Sequence, residues 1–333
     1  HLSEKQGVGS SILPLATILK LNLINKQLID FVKIKLMNKY ISNKEMESLL
    51  PEFIKIYKKR PIKNNLGGMG FNHSFGLYVI LKKLKLKNIY ESGIYKGHST
   101  WLIEQSLENF NLVSIDINLK LREYISSDKN VQYYEGDIEE LSFKDIDVQN
   151  TLVYFDDHTN VIERLKFLNS WGIKYAIFED NYPVGEGDAY SVRKILNKSG
   201  QSINEWFPNF IEPGNRFTRY KIINKIYKEL FYKDNTLPFF LTKYYYYQKQ
   251  LKKPNSADID LFNKIVKNHY EIQPAYRYSR QRWTNSDWSK HYESLKPLYK
   301  ELQNNPFSSE LKLFEQESPN EMFNYTYISL VEL

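Results

Sequence analysis

Residues 89–107 read as a strand, a tight turn and the start of a helix, and that unit limits what the rest of the chain can fold into. Ile89 and Tyr90 lead into Glu91, glycines follow at 93 and 97, and residues 99–107 suit a helix. Gly93 lets the backbone leave the strand sharply, and Gly97 admits a ligand to the main chain with no Cβ in the way. With Ser99 or Thr100 as cap, the free N–H groups of the helix start favour a carboxylate or a phosphate. A dinucleotide fingerprint spaces its glycines G-x-G-x-x-G. This chain has E-x-G-x-x-x-G, with an acid two places before the first glycine.

The unit is the first of a series. Residues 112–116, 131–137, 151–155 and 175–178 are further short strand-like runs, and each meets acids: Asp116, Asp137, Asp156-Asp157 and Glu179-Asp180. A helix carrying Val161, Leu165 and Leu168 stops at Trp171-Gly172. Strands alternating with helices predict an α/β fold with a mostly parallel, Rossmann-like sheet, and ligands bind such sheets at the carboxyl ends of the strands. Asp116 stands at the second strand end, where an acid can accept both ribose hydroxyls of an adenosine.

Four segments follow from this reading. Residues 1–73 form a helical segment ending in a glycine- and amide-rich loop at 64–73, placed to close over a bound cofactor or to act as a plain connector. Residues 74–190 form the nucleotide-binding core. Residues 191–308 form a mostly helical insertion, dense in aromatics such as Trp206, Tyr276 and Trp283 with Arg277, Arg280 and Arg282 among them. Aromatics beside Arg suit glycan or nucleobase stacking, or simply pack as the insertion's own core. Residues 309–333 read as a closing antiparallel hairpin, with strands at 311–314 and 325–331.

Bulk properties narrow the chemistry. The chain has no Cys, so it has no disulfide framework, thiolate nucleophile or Cys-ligated metal, which fits a reducing, cytoplasmic setting. A net charge of +7, mostly scattered Lys, reads as a solvated surface before it reads as a nucleic-acid or membrane face. No stretch is apolar enough for a transmembrane segment, and the chain begins at His1 rather than Met. A helical lid or a homo-oligomer face are both uses for the N-terminal helices.

The acids after the fourth and fifth strands suggest a metal. Adjacent strands lie about 4.8 Å apart, so Asp157, Glu179 and Asp180 can converge on one divalent ion, and no nearby basic residue is set against them. Oxygen ligands point to Mg²⁺, with Mn²⁺ second. Such an ion would acidify a substrate hydroxyl and hold it in line, and His158 or His98 could take the proton. Asp156-Asp157 also suits a polar strand end capping the next helix.

From residue 89 to about 181 the chain resembles class I S-adenosylmethionine-dependent methyltransferases, in particular the cephalosporin hydroxylase/rhamnosyl O-methyltransferase group. The resemblance lies in Glu91-Ser92-Gly93-Ile94-Tyr95-Lys96-Gly97-His98-Ser99, Ser114-Ile115-Asp116, Asp156-Asp157-His158-Thr159 and Phe178-Glu179-Asp180. The last two stretches also resemble the ligands of macrocin-type and catechol-type O-methyltransferases. The resemblance implies a cofactor site of Glu91, Gly93, Gly97, His98, Ser99, Asp116 and Asp137, with Asp137 on the adenine amino group. It implies metal ligands Asp157 and Asp180, joined by Glu179 in the macrocin type or Asn181 in the catechol type. The resembling group commonly has Gly where this chain has His98, and no Lys base follows Asp157-His158, which leaves His158, with Asp157, as the expected catalytic pair. The expected activity is metal-dependent methyl transfer from S-adenosylmethionine to a hydroxyl of a sugar, glycan or other small molecule. Three alternatives remain: a nicotinamide-dependent sugar oxidoreductase, a nucleic-acid methyltransferase, and a non-catalytic glycan- or partner-binding module. The missing third glycine and the closing hairpin weigh against the first.

Overall fold

The computed structural model describes residues 41–182, 190–196, 256–276, 296–299, 305–318, 322 and 325–333. Their helices are α1 (Asn43–Tyr57), α2 (Phe71–Leu84), α3 (His98–Ser106), α4 (Val161–Trp171), α5 (Val192–Leu196), α6 (Ser256–Ile265) and α7 (Ser308–Glu317). Their strands are β1 (Asn88–Ser92), β2 (Asn111–Asp116), β3 (Val131–Glu135), β4 (Thr151–Phe155), β5 (Tyr175–Phe178), β6 (Asn268–Glu271) and β7 (Ser329–Glu332). The chain divides into two compact units, residues 1–43 and 44–333, and the sheet belongs to the second.

The seven strands form one sheet in the order β3-β2-β1-β4-β5-β7-β6. β1 to β5 are parallel, whereas β7 runs antiparallel to both neighbours, β5 and β6. This is a Rossmann-like sheet, mostly parallel and closed by antiparallel strands, as the sequence predicts. Strand order reverses between β1 and β4, so the crevice for a ligand opens at the carboxyl ends of those two strands.

Local sequence accounts for the elements that frame the crevice. β4 is buried along its whole length, because a central parallel strand is covered on both faces. α4 begins with Asn160, whose side chain accepts the N–H of Ile162, and ends on Gly172 at φ 70°. Its Leu165 and Leu168 are fully buried against Val153, Phe155, Ala176 and Phe178. Truncating either to Ala costs about 2–5 kcal/mol. α2 is buried from Phe71 to Leu81, and a Cβ on Gly76 would come within 2.5 Å of Ile328, so glycine there sets how closely α2 approaches the chain before β7.

Three expectations are corrected. Residues 311–314 lie in helix α7, not a strand: Leu311 and Phe314 are buried three residues apart while Leu313 is 46% exposed, a helical period that a strand would not give. The antiparallel pair that closes the sheet is β6 with β7, so one of its strands comes from within 191–308. The sequence of β6, Asn-His-Tyr-Glu, has no apolar alternation to reveal it. Finally, β2 to β3 is joined through one 3₁₀ turn, Leu119–Leu121, and β3 to β4 through two, Ile138–Glu140 and Val148–Asn150, rather than through α-helices. Of the insertion's aromatic residues, Tyr276 is 1% exposed and its N–H donates to Asn72 Oδ1, so it is core. Trp206, Arg277, Arg280, Arg282 and Trp283 lie outside the described residues. No described helix is long and apolar enough to cross a membrane.

Candidate functional site

The glycine loop is held from below and behind. Gly93 has φ 95°, and a Cβ there would lie 2.1 Å from the Asp156 carbonyl oxygen; Gly97 has φ 93°, and a Cβ would lie 2.7 Å from the Tyr124 carbonyl oxygen. Both glycines therefore admit neighbouring backbone, a correction to the ligand-approach role expected for Gly97. Glu91 is fully buried under the loop, where its Oε2 accepts from Thr100 and Ser114, each at 2.6 Å. Burial raises its carboxyl above the usual range, and hydroxyls of Ser114, Ser99 and Thr100 pull the other way. Asp116 Oδ2 accepts the N–H groups of Ile94 (2.8 Å) and Tyr95 (3.0 Å), and its Oδ1 accepts that of Asn118 (2.9 Å). Asp116 thus shapes the loop and keeps acceptor capacity on Oδ1 for a ribose.

His98 starts α3 and is 2% exposed, bonded through Nε2 to Ser74 Oγ at 2.9 Å and packed edge-on against Tyr57. Burial takes its pKa down to about 3, so it cannot serve as the proton acceptor that the sequence allowed. It lines a small cavity with Ser99, Asn65, Gly68, Ile94 and Asp156. The 64–70 loop therefore does lie over the glycine loop, and Tyr95 Oη donates to its Leu66 carbonyl at 3.1 Å. The helix after it begins at Phe71, earlier than its composition suggests.

Arg164, on α4, changes the roles of two expected residues. Its guanidinium grips Asp137 with Nη1 at 2.8 Å and Nη2 at 3.0 Å, and Asp157 Oδ2 with Nε at 3.0 Å and Nη2 at 2.9 Å. Ser92 Oγ also donates to Asp157 Oδ2, and Thr159 N–H to its Oδ1. Asp157 is thereby committed to a buried ion pair rather than to the expected metal cluster. Asp137 also caps the 3₁₀ turn at Ile138–Glu140, so its acceptor capacity is largely used before any adenine arrives.

The side chains that do converge are Asp156, His158 and Asp180, each offering one ligand atom, all within 4.8 Å of one another. His158 has φ 54°, a left-handed backbone uncommon for a residue with a Cβ, and its Nδ1 lies 2.9 Å from Asp180 Oδ2. Its ring is 35% exposed and the Asp180 side chain 10%. Asp156 is pushed well above the usual carboxylate range by burial and by Asp180, with His158 opposing. Glu179 is raised likewise by burial, Asp156 and Asp180.

Glu179 stands behind this cluster. Its Oε1 faces His73 Nδ1 at 3.3 Å, while His73 Nε2 accepts the N–H of Thr326 at 2.7 Å. Burial takes His73 down to about 4. Asn181 is fully buried and donates to Glu271 Oε1 at 2.8 Å while accepting the N–H of Arg193, so the expected ligand role for its carbonyl is replaced by an anchor for α5. Glu271 also pairs with the Arg193 side chain, which lies 3.6 Å over the Tyr327 ring. Sequence reasoning missed Arg164, His73, Arg193 and Glu271. Only Arg164 carried a signal, standing one helical turn into α4 and seven residues beyond Asp157.

No family model matches the sequence, and no curated protein matches it. Some solved structures are similar to parts of the chain. One is CmcI-N160 with SAH, 21% identical over 32% of this chain and 59% of that one, at a TM-score of 0.26. A putative O-methyltransferase from Klebsiella pneumoniae is 14% identical over 51% of this chain and 81% of that one, at 0.30. Coclaurine N-methyltransferase bound to N-methylheliamine and SAH is 15% identical over 92% and 87%, at 0.37. This chain spans 59% of the length of the two CmcI structures it matches. At this level of likeness the chemistry has to be read from the site itself.

Proposed function

We propose that this protein is an O-methyltransferase that uses S-adenosylmethionine and a divalent cation to methylate a hydroxyl of a small molecule, with a sugar or glycan as the acceptor class. The observation that carries the reading is the meeting of Asp156, His158 and Asp180 directly beside the glycine loop, at the strand ends where the sheet reverses. Two carboxylates with one imidazole fit a divalent ion, and the nitrogen donor moves the preference from Mg²⁺ towards Mn²⁺. Asp156, His158 and Asp180 replace the set Asp157, Glu179, Asp180 and Asn181 as its holders. When bound, the ion would lower the pKa of an acceptor hydroxyl and orient it. Asp116 would receive a ribose hydroxyl, and the loop from Gly93 to Gly97 would face the aminoacid end of the cofactor. The sugar class rests on the sequence resemblance alone.

A second reading needs no ion. The 2.9 Å contact between His158 Nδ1 and Asp180 is the arrangement that orients a general base, with the other ring nitrogen taking the hydroxyl proton. Calorimetry with S-adenosylhomocysteine and with Mn²⁺, followed by turnover assays in chelator, tests both. Binding of S-adenosylhomocysteine with turnover lost in chelator and restored by Mn²⁺ or Mg²⁺ supports the first reading. Full turnover in a metal-free sample leaves the His158–Asp180 base. Binding of NAD(P)H without any response to S-adenosyl compounds would overturn both.

A further inference from the structure

Asp180 leaves β5 at the apex of a three-residue turn that the Asn181 N–H closes on the Glu179 carbonyl at 3.0 Å. The residue before it is tied at both ends of its main chain. The Glu179 N–H donates to the Phe155 carbonyl at 3.0 Å, and the Glu179 carbonyl accepts Thr326 Oγ1 at 2.8 Å. The residue after it, Asn181, is fully buried and has both ends of its amide in use. Nδ2 donates to Glu271 Oε1 at 2.8 Å, and Oδ1 accepts the Arg193 N–H at 2.9 Å. A carboxylate only accepts and a main-chain N–H only donates, so the amide has one orientation there. Glu271 is gripped in turn by the Arg193 guanidinium, through Nε on Oε1 and through Nη2 on Oε2 at 2.6 Å. Burial pushes the Glu271 carboxyl up, but the Arg193 charge beside it outweighs burial and holds it below the usual range, so the pair is ionised.

These contacts join three segments at one edge of the sheet. Ser329 of β7 stands opposite both Phe178 of β5 and Glu271 of β6, so Glu271 lies at the same carboxyl edge as Asp180. α5 has five residues, too few to hold a helix alone, and Arg193 ties it to Asn181 and to Glu271. Apolar side chains of similar volume would pack α5 on the sheet at least as firmly as a buried ion pair does. What the ionic arrangement adds is direction: fixed donors and acceptors set where Asn181 sits, and Asn181 closes the turn that carries Asp180. We propose that Asn181, Arg193 and Glu271 are positioning residues, a buried clasp that aims the Asp180 carboxyl at His158 Nδ1, 2.9 Å away, and so sets the affinity of the Asp156–His158–Asp180 cluster for a divalent ion. The ion part rests on the functional reading above, whereas the aim of Asp180 at His158 stands without it. Partners behind a metal ligand are worth roughly 10- to 100-fold in affinity.

The test titrates Mn²⁺ alone, by calorimetry, into the full chain as wild type, Asp180→Asn, Asn181→Ala and Glu271→Gln. Asp180→Asn, which alters a ligand, should lose most of the affinity. Asn181→Ala removes both amide bonds and should weaken Mn²⁺ binding roughly 10- to 100-fold. Glu271→Gln keeps an acceptor for Asn181 Nδ2 but drops the charge that grips Arg193, so its loss should be smaller and in the same direction. A clasp that is only structural would lower the urea midpoint of both variants and leave Mn²⁺ affinity at the wild-type value, which would overturn the proposal. S-adenosylhomocysteine, titrated without metal, should bind all four chains alike, because the glycine loop and Asp116 do not touch the clasp. An equal loss of both ligands in Glu271→Gln, the gentler change, would also overturn it, and that variant decides alone should Asn181→Ala fail to fold. A metal-free arm reads the His158 Nδ1 resonance by ¹⁵N NMR. Asn181→Ala and Glu271→Gln should move it in the direction that Asp180→Asn does, and a wild-type position in both would overturn the proposal whatever metal binds. If the wild type and Asp180→Asn bind Mn²⁺ equally, the ion reading fails, and the NMR arm alone decides the clasp.

Discussion

Replacing Arg164 with Met removes the cation that pairs with both Asp137 and Asp157. The Arg164 side chain is 2% exposed, Asp157 13% and Asp137 21%, so both carboxylates would be left largely desolvated without their partner. Breaking a buried pair in this way costs about 3–5 kcal/mol, most of it the cost of the stranded charges. Glu139, at 47%, adds little because water already screens it. For a domain of this size that loss lowers Tm by roughly 6–20 °C. Urea denaturation should give the same loss as a fall in the midpoint at constant slope. Arg164→Met combined with Asp157→Asn should be less harmful than the two single losses added, because the second change removes one stranded charge. A loss under about 1 kcal/mol for Arg164→Met, or strict additivity in the pair, would refute the reasoning that this arginine holds Asp157 out of the acid cluster.

Other outcomes follow from single contacts. Gly93→Ala should lose at least about 1–3 kcal/mol, since φ 95° and an oxygen 2.1 Å from the new Cβ both oppose it; a stability equal to wild type in urea would contradict the loop geometry. Asp116→Ala frees the N–H groups of Ile94, Tyr95 and Asn118 and should weaken S-adenosylhomocysteine binding roughly 10- to 100-fold by calorimetry. Burial lowers His73 to about 4 and His98 to about 3, so the unfolded chain takes up these protons first as pH falls. Their stabilising effect is complete above roughly pH 6.5 and drains away below it, by about 1.4 kcal/mol per pH unit for each ring. Asp156 and Glu179, raised by burial, act in the opposite direction in any variant, so a comparison cancels them. His98→Asn should flatten the stability–pH curve between pH 6 and 4, and an unchanged slope would exclude a neutral buried ring.

The sheet was legible because its signals are local. β4 and β5 stand where apolar runs at 151–155 and 175–178 predict them, and α4 ends on Gly172 because only a left-handed residue continues there. β6 was illegible because an edge strand of Asn, His, Tyr and Glu owes its conformation to β7 alone. Leu311 to Phe314 misled because four residues fit two periods. The strand-end acids were legible as residues, but not which of them converge, because their partners come from far along the chain. His73 and Thr326 are 253 residues apart, and Asn181 and Glu271 are 90 apart. No spacing rule reaches that far.

The exchange of Asp157 for Asp156 has a simple cause. Consecutive side chains leaving a strand point to opposite faces of the sheet, so two adjacent acids at the end of β4 do not both join a cluster on one face. Either choice strands the other acid unless a cation meets it. Arg164 meets Asp157 on the α4 side, where Asp137 from beyond β3 shares the same guanidinium. Asp156 is thereby left to the crevice, between Asp180 and His158 on one side and the small cavity between the glycine loop and the 64–70 loop on the other. Burial already drives its carboxyl towards the neutral form. An ion at the cluster would reverse that, and a ligand in the cavity beside the glycine loop would change the surroundings of the same carboxyl, so the two occupancies should be coupled. Calorimetry of Mn²⁺ with and without saturating S-adenosylhomocysteine measures that coupling, and by linkage the same factor must appear when the order is reversed. Equal Mn²⁺ affinity in the two titrations would mean that Asp156 serves only one of the two sites.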